Sequence, residues 1–250
     1  MEIPKDGSVN TVNTTIPNNT ELITITHNES STGVCQSTED IYTIRSSHPE
    51  ALLAIDAVSS LPIVDFDYTK VDSVYFSIEN CFGLPAGLGV WLVNERCLSK
   101  HELMSKKKQP DMSYQLLGDM VENAKKNQTH ETPNVLSIYL LGMVAMDMLN
   151  KGIDMIRRET DYKAAVLYHT LESHEYLSPF IVNRENRSKT VIVAKGDNTN
   201  TIISAMEKSK MVLGGGYGKY KDDHIRIANF PTHSKEQIEM LADKLLATAK

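Results

Sequence analysis

Cysteine is scarce in this 250-residue chain, and its three copies, Cys35, Cys81 and Cys97, lie far apart without metal-ligand spacing. So sparse and odd a count excludes a disulfide framework and fits unpaired thiols in a reducing cytoplasm. Cys81 is expected to be a small buried residue, since no His stands at a matching local position. Long hydrophobic runs are also missing: none approaches the roughly 20 residues that span a bilayer. The opening MEIPKDGSVN carries no apolar signal-peptide core. Positive charge is in short supply as well. With 26 Lys and Arg against 32 Asp and Glu the net charge is -6, which argues against a nucleic-acid or polyanion surface. The one dense basic run, Lys106-Lys107-Lys108, is expected on a solvated helix face or loop. What is present, 41% hydrophobic and 23% charged residues, suits a globular chain with one large or two modest cores.

Residues 1–20 are polar, rich in Asn and Thr, and broken by Pro4 and Pro17, so they read as an irregular lead-in. Four short apolar runs follow, at 22–26, 51–55, 73–78 and 88–93. Each is separated from the next by more than a hairpin turn, which predicts an α/β sheet buried on both faces. Ligands collect where the strands of such sheets end. His27, Asp56, Glu79 and Asn80 all stand at strand ends. From 98 to 126 the pattern is helical, charged and rich in methionine. Thr132 and Pro133 then give an N-cap signal for a long apolar helix, with Gly152 breaking it in two and Met143, Met146 and Met148 expected in the core. Beyond Tyr176 the pattern is a strand at 189–194, a helix at 199–208, a glycine loop at 214–218, a strand at 224–228 and a closing helix at 234–249. The expected units are 1–130 and a smaller α/β unit, with its connecting helix, at 131–250.

The most informative stretch is residues 74–90, VYFSIENCFGLPAGLGV, a strand running through a glycine- and proline-rich turn into a second strand. It resembles the cofactor-lysine strand of class V aminotransferases, which depend on pyridoxal phosphate (PLP). Where that family carries Ser-x-Gln-Lys, this chain reads Ser77-Ile78-Glu79-Asn80. Residues 27–34, HNESSTGV, resemble the family's HNE(T/S)STG loop. Asp56 in IDAVSS matches the aspartate that faces the pyridine nitrogen. Residues 129–134 resemble a phosphate-contacting segment, and 225–231, IRIANFP, match a strand carrying a substrate arginine.

The resemblance implies a PLP-dependent transferase of fold type I, nearest the phosphoserine-aminotransferase-like branch. Its large-domain mixed sheet would be incomplete and its C-terminal α/β domain smaller. It implies transfer of an amino group between an amino acid and a 2-oxo acid, in a homodimer. Asn28 and Ser30 would lie around the cofactor ring, Asp56 on its nitrogen, Thr132 on the partner subunit's cofactor phosphate, and Arg226 on the substrate carboxylate. The physical logic is independent of the family. A buried carboxylate keeps a ring nitrogen protonated, as an electron sink requires. A planar guanidinium on a strand suits bidentate carboxylate recognition. Alternation points Arg226 away from Ile225 and Ile227. Taken singly, Asp56 is equally a strand-to-helix cap, Thr132 a helix cap and Arg226 half of a surface ion pair.

Two residues conflict with that chemistry. A carboxamide is neither nucleophilic nor basic, so Asn80 cannot do the lysine's work. Glu79 adds negative charge beside an anionic coenzyme, a like-charge contact costing roughly 4 kcal/mol at about 4 Å and an effective dielectric of about 20. Neither Lys70 nor Lys100 is positioned to substitute. The family also carries about a hundred further residues ahead of the HNE loop, among them the helix N-terminus that cradles the phosphate. The expectation is therefore a truncated aminotransferase lineage, inactive as this chain. The alternatives are a binding or dimerisation subunit, or a partner chain supplying the rest. For a phosphate-bearing substrate, Arg45, His48 and Arg187 are the candidate cations.

Overall fold

The computed structural model of the chain describes residues 15–106 and 116–248. Lys107 and Lys108 lie outside that set, and Lys106 ends a helix on an exposed turn. In order, the first half comprises β1 (Leu22–Thr26), β2 (Asn28–Glu29), β3 (Val34–Cys35), α1 (Thr38–Ser47), β4 (Leu52–Asp56), β5 (Ser73–Ser77), β6 (Gly89–Val93), α2 (Glu95–Lys106) and α3 (Leu117–Ala124). The second half comprises α4 (Val135–Lys151), α5 (Ile153–Ser173), β7 (Leu177–Pro179), β8 (Val191–Gly196), α6 (Thr199–Lys208), β9 (Gly214–Gly215), β10 (His224–Ala228) and α7 (Lys235–Ala247).

The larger unit is a mixed sheet in the order β1-β4-β5-β6. β1, β4 and β5 run parallel, and β6 returns antiparallel to β5. β-branched runs with period-two alternation form these strands, so one face collects Ile23, Ile25, Leu53, Ile55, Val74 and Phe76. Those side chains pack with Ile41 of α1 and with Leu141, Val144 and Met148 of α4. The expectation of burial on both faces fails here. The opposite face carries Leu22, Thr24, Thr26, Tyr75 and Trp91 exposed, with Leu52, Ala54 and Asp56 half-buried. Register aligns Thr26, Asp56, Tyr75 and Trp91 across the four strands, so one row of side chains crosses the open face. A buried Asp72 braces the far ends of the strands. It pairs with Arg45 and Arg96 and accepts the Leu53 backbone N–H at 2.7 Å.

The smaller unit is an antiparallel sheet, β7-β8-β10-β9, backed by α5, α6 and α7. Its core joins Leu167, Leu171, Ile192, Ile225 and Leu245, all fully buried. The α7 helix starts at a capping box in which Ser234 and Gln237 exchange side-chain and backbone bonds.

Two helix expectations need correction. The cap of α4 is Asn134, whose side chain accepts from the Ser137 N–H at 3.1 Å; Thr132 is exposed two residues upstream. Met148 packs on the large-sheet core, but Met143 and Met146 are exposed, because α4 is apolar around most of its circumference and presents only one face to the sheet. Gly152 does break the helix, and α4 and α5 meet at 86°. Among the described residues no single helix is long and apolar enough to cross a membrane.

Candidate active site

The parallel strands β1, β4 and β5 deliver His27, Asp56 and the Glu79-Asn80 pair to one edge of the large sheet. The turn after β4 joins them. Asn28 donates through Nδ2 to Ser59 Oγ at 2.7 Å and to Thr190 Oγ1 at 3.2 Å. Ser59 Oγ donates to the Asn28 carbonyl at 2.9 Å, and Thr190 Oγ1 to the Ser59 carbonyl at 2.6 Å. This buried knot ties the large sheet to the residue just before β8. Gly33 makes the approach possible: its φ is +73°, and a Cβ there would stand 2.9 Å from Val193 Cγ2. Ser30 is half-buried in the same loop.

His27 is fully enclosed, with Nδ1 hydrogen-bonded to Ser60 Oγ at 2.8 Å and its ring edge-on to Phe66. Burial lowers its pKa to about 4, so it is neutral at physiological pH. Its neighbour Cys35, 3.7 Å from Nε2, is pushed by burial up to about 12 and is a thiol, not a thiolate. Cys81 is likewise fully buried with its pKa raised by burial, as expected of an inert packing residue.

Asp56 closes β4. It accepts the Val58 N–H at 3.0 Å, and Tyr75 stands beside it in the cross-strand register. Burial, and then the neighbouring Asp56 carboxylate, push the Tyr75 phenol up to about 12. The cap reading and the ring-nitrogen reading of Asp56 are thus compatible, since one oxygen holds the turn. Tyr75 is a residue that motif reasoning missed. Only its cross-strand register with Asp56 marks it. Thr190 was missed for a related reason, being distant in sequence and adjacent in space.

Asn80 sits just past β5 and donates through Nδ2 to the Val58 carbonyl at 3.1 Å. Glu79 is exposed and accepts from Ser77 Oγ at 2.7 Å. Lys70 pairs with Asp67, and Lys100 with Glu21, so neither approaches the turn. A third lysine, Lys163 of α5, lies behind it. Its Nζ donates to the carbonyls of Phe230 and His233 at 2.8 and 2.7 Å, and burial lowers it to about 8. Those two bonds make it a strut between α5 and the segment after β10.

Arg226 is half-buried on β10, facing away from the buried Ile225 and Ile227 as alternation requires. Its Nε donates to the Gly215 carbonyl at 2.8 Å, and its guanidinium lies over the Tyr217 ring. Among the described residues no carboxylate pairs with it, which removes the surface ion-pair reading. The candidate phosphate cations fare differently. Arg45 is bound to Asp72, His48 to the Ile16 carbonyl, and Arg187 to Glu172 and the Ile181 carbonyl. Their sites are structural. Thr132 lines an open surface hollow of about 920 Å³ with His130, Glu131 and Pro133, away from the strand ends.

The profile of aminotransferase class-V matches residues 1–217. The chain belongs to the class V aminotransferase family. It is 29% identical to the phosphoserine aminotransferase of Rhodococcus opacus over 234 residues, covering 90% of this chain and 60% of that protein. Against the enzyme of Corynebacterium glutamicum the figures are 28%, 88% and 59%. The chain thus spans about 60% of the length of the curated relatives it matches. The crystal structure of a Cytophaga hutchinsonii phosphoserine aminotransferase superposes with a TM-score of 0.92 at 43% identity, covering 96% of this chain and 67% of that one. An aspartate aminotransferase from Thermus thermophilus shares the fold alone, with a TM-score of 0.79 at 19% identity. The architecture is that of the PLP-dependent aminotransferases of fold type I, a PLP-dependent family.

The residues present fit the coenzyme in part. Asn28 Oδ1 is buried with no hydrogen-bond partner, an acceptor at the site edge awaiting a donor. Asp56 lies on the open face with Tyr75 beside it. Asn80, which the sequence resemblance sets against the family's lysine, is a carboxamide that donates to the Val58 carbonyl, so it does not fit a covalent anchor.

Proposed function

We propose that this chain carries the strand-end half of a phosphoserine-aminotransferase-like PLP site and that, as a 250-residue chain, it holds the coenzyme without covalent capture and does not transfer amino groups. The observation that carries this reading is Asn80, which stands in the lysine position and donates to the Val58 carbonyl. A carboxamide cannot condense with an aldehyde or shuttle a proton. PLP supplies, when bound, an electron sink through its protonated ring nitrogen.

In this reading Asp56 holds the ring-nitrogen proton, Asn28 and Ser30 edge the ring, and Glu79 disfavours a second anion nearby. Arg226 receives the carboxylate of an amino acid or 2-oxo acid. The units 1–130 and 131–250 serve as cofactor-side and substrate-side bodies of a cytoplasmic protein with reduced thiols.

The test is chemical. The purified chain is mixed with PLP, treated with borohydride and analysed by intact mass and peptide mapping. The expected result is reversible binding, weakened by Asp56→Ala, with no fixed adduct. A borohydride-stable adduct at any single lysine overturns the inactive reading. Asn80→Lys alone is expected to leave transamination undetectable, and activity in that variant would place the whole defect at residue 80.

Self-association and a Thr132 phosphate contact across it belong to the same proposal. The outward side of α4 supports it, with Val135, Leu136, Tyr139, Met146 and Leu149 all exposed beside the Thr132 hollow. Sedimentation equilibrium should give a dimer mass, and a monomer at high protein concentration would remove the cross-subunit role of Thr132.

A further inference from the structure

The Arg226 guanidinium is held by something other than an acid. Its central carbon lies 3.9 Å from the centroid of the Tyr217 ring, close enough for a cation–π contact. Its Nε is fixed by the Gly215 carbonyl at 2.8 Å. Gly214 pairs with Arg226 in the strand register, and a Cβ there would stand 3.5 Å from both Arg226 Cβ and Nη2, so the bare backbone closes a second side. Neither terminal nitrogen has a partner among the described residues, so the outer edge of the fork is free to meet a planar anion.

The loop that brings Tyr217 under the guanidinium has no slack. The Gly216 N–H donates to the His224 carbonyl at 3.0 Å, and a Cβ on Gly216 would fall 2.0 Å from the Tyr220 carbonyl oxygen. Only glycine permits that crossing. The glycine run therefore serves Arg226, delivering an acceptor on one side and an aromatic ring on another.

Resting on the assignment of Arg226 to carboxylate binding, we infer that Tyr217 is a positioning residue, whose ring holds the Arg226 guanidinium in the orientation that accepts the carboxylate. An acid partner would neutralise the guanidinium and compete with the substrate for its donors. An aromatic face orients the cation and leaves its donors unspent. The phenolic hydroxyl has no part in this, so Phe should replace Tyr and Leu should not.

The experiment uses the full chain labelled with nitrogen-15. The Arg226 Nε–H resonance is assigned by its loss in Arg226→Lys. It is expected upfield of ordinary arginine positions and protected from solvent exchange in the parent chain and in Tyr217→Phe. Tyr217→Leu should return it to the ordinary, rapidly exchanging position. Titration with L-glutamate should perturb the same resonance, with Tyr217→Leu binding about threefold more weakly and Tyr217→Phe within about twofold of the parent. An Arg226 resonance unmoved by Tyr217→Leu overturns the inference. A parent chain whose Arg226 resonance ignores glutamate overturns the carboxylate assignment, and the ring-current arm still decides whether Tyr217 holds the side chain.

Discussion

The two four-stranded sheets of this chain differ in what covers them. In the small body the inner strands β8 and β10 are buried, and α5, α6 and α7 close over a continuous apolar core. In the large body only one face is packed, and β1 alternates between exposed and half-buried along its whole length. The small sheet is thus held by burial. The large sheet is held by burial on one side and by polar ties at its two ends, the Asp72 cluster at one and the Asn28–Ser59–Thr190 knot at the other. The candidate site lies at the second, which also borders the open face.

That contrast makes stability predictions that can break it. Leu167→Ala, in the fully buried core of the small body, should cost about 2–5 kcal/mol in urea unfolding. The next effect concerns pH and belongs to the large body. His27 is buried and neutral, with a folded pKa of about 4 against 6.5 for an unperturbed histidine. The unfolded chain binds the extra proton first, so stability is whole above pH 6.5 and falls as pH drops toward 4, by up to about 3 kcal/mol. His27→Gln should flatten that slope, and an unchanged acid limb would show that another group sets it. The smallest effect is expected on the open face. Leu22→Ala removes the same atoms as Leu167→Ala from a side chain already 55% exposed and should stay within about 0.5 kcal/mol of the parent. A loss there comparable with Leu167→Ala would mean that the face is covered in solution.

Much of the architecture was legible because local signals agreed. The β-branched run of β1, the punctuated helix α6 and the strand β10 fall at the residues that pattern alone picks out. The α4 cap was misassigned because Thr132 and Asn134 flank the same proline, and only geometry decides which side chain reaches a free N–H. The methionine stripe misled for a different reason. On a helix apolar nearly all round, period cannot say which side meets the sheet. Within the site, Asp56, Asn28 and Asn80 were legible as motif residues. Tyr75 and Thr190 were not, since the first looks like any strand aromatic and the second is 162 residues from Asn28, to which it bonds. Arg45 and Arg187 looked like free cations, but their acidic partners stand 27 and 15 residues away.

The knot at the strand ends also has a mechanical meaning. Prising the two bodies apart there would break both bonds of Thr190 Oγ1, to the Asn28 amide and to the Ser59 carbonyl, at about 1–3 kcal/mol for each group left buried without that partner. Jaw-like closure about that edge is therefore expensive. An incoming molecule therefore meets a site edge already set in place, and any adjustment falls to side chains outside the knot.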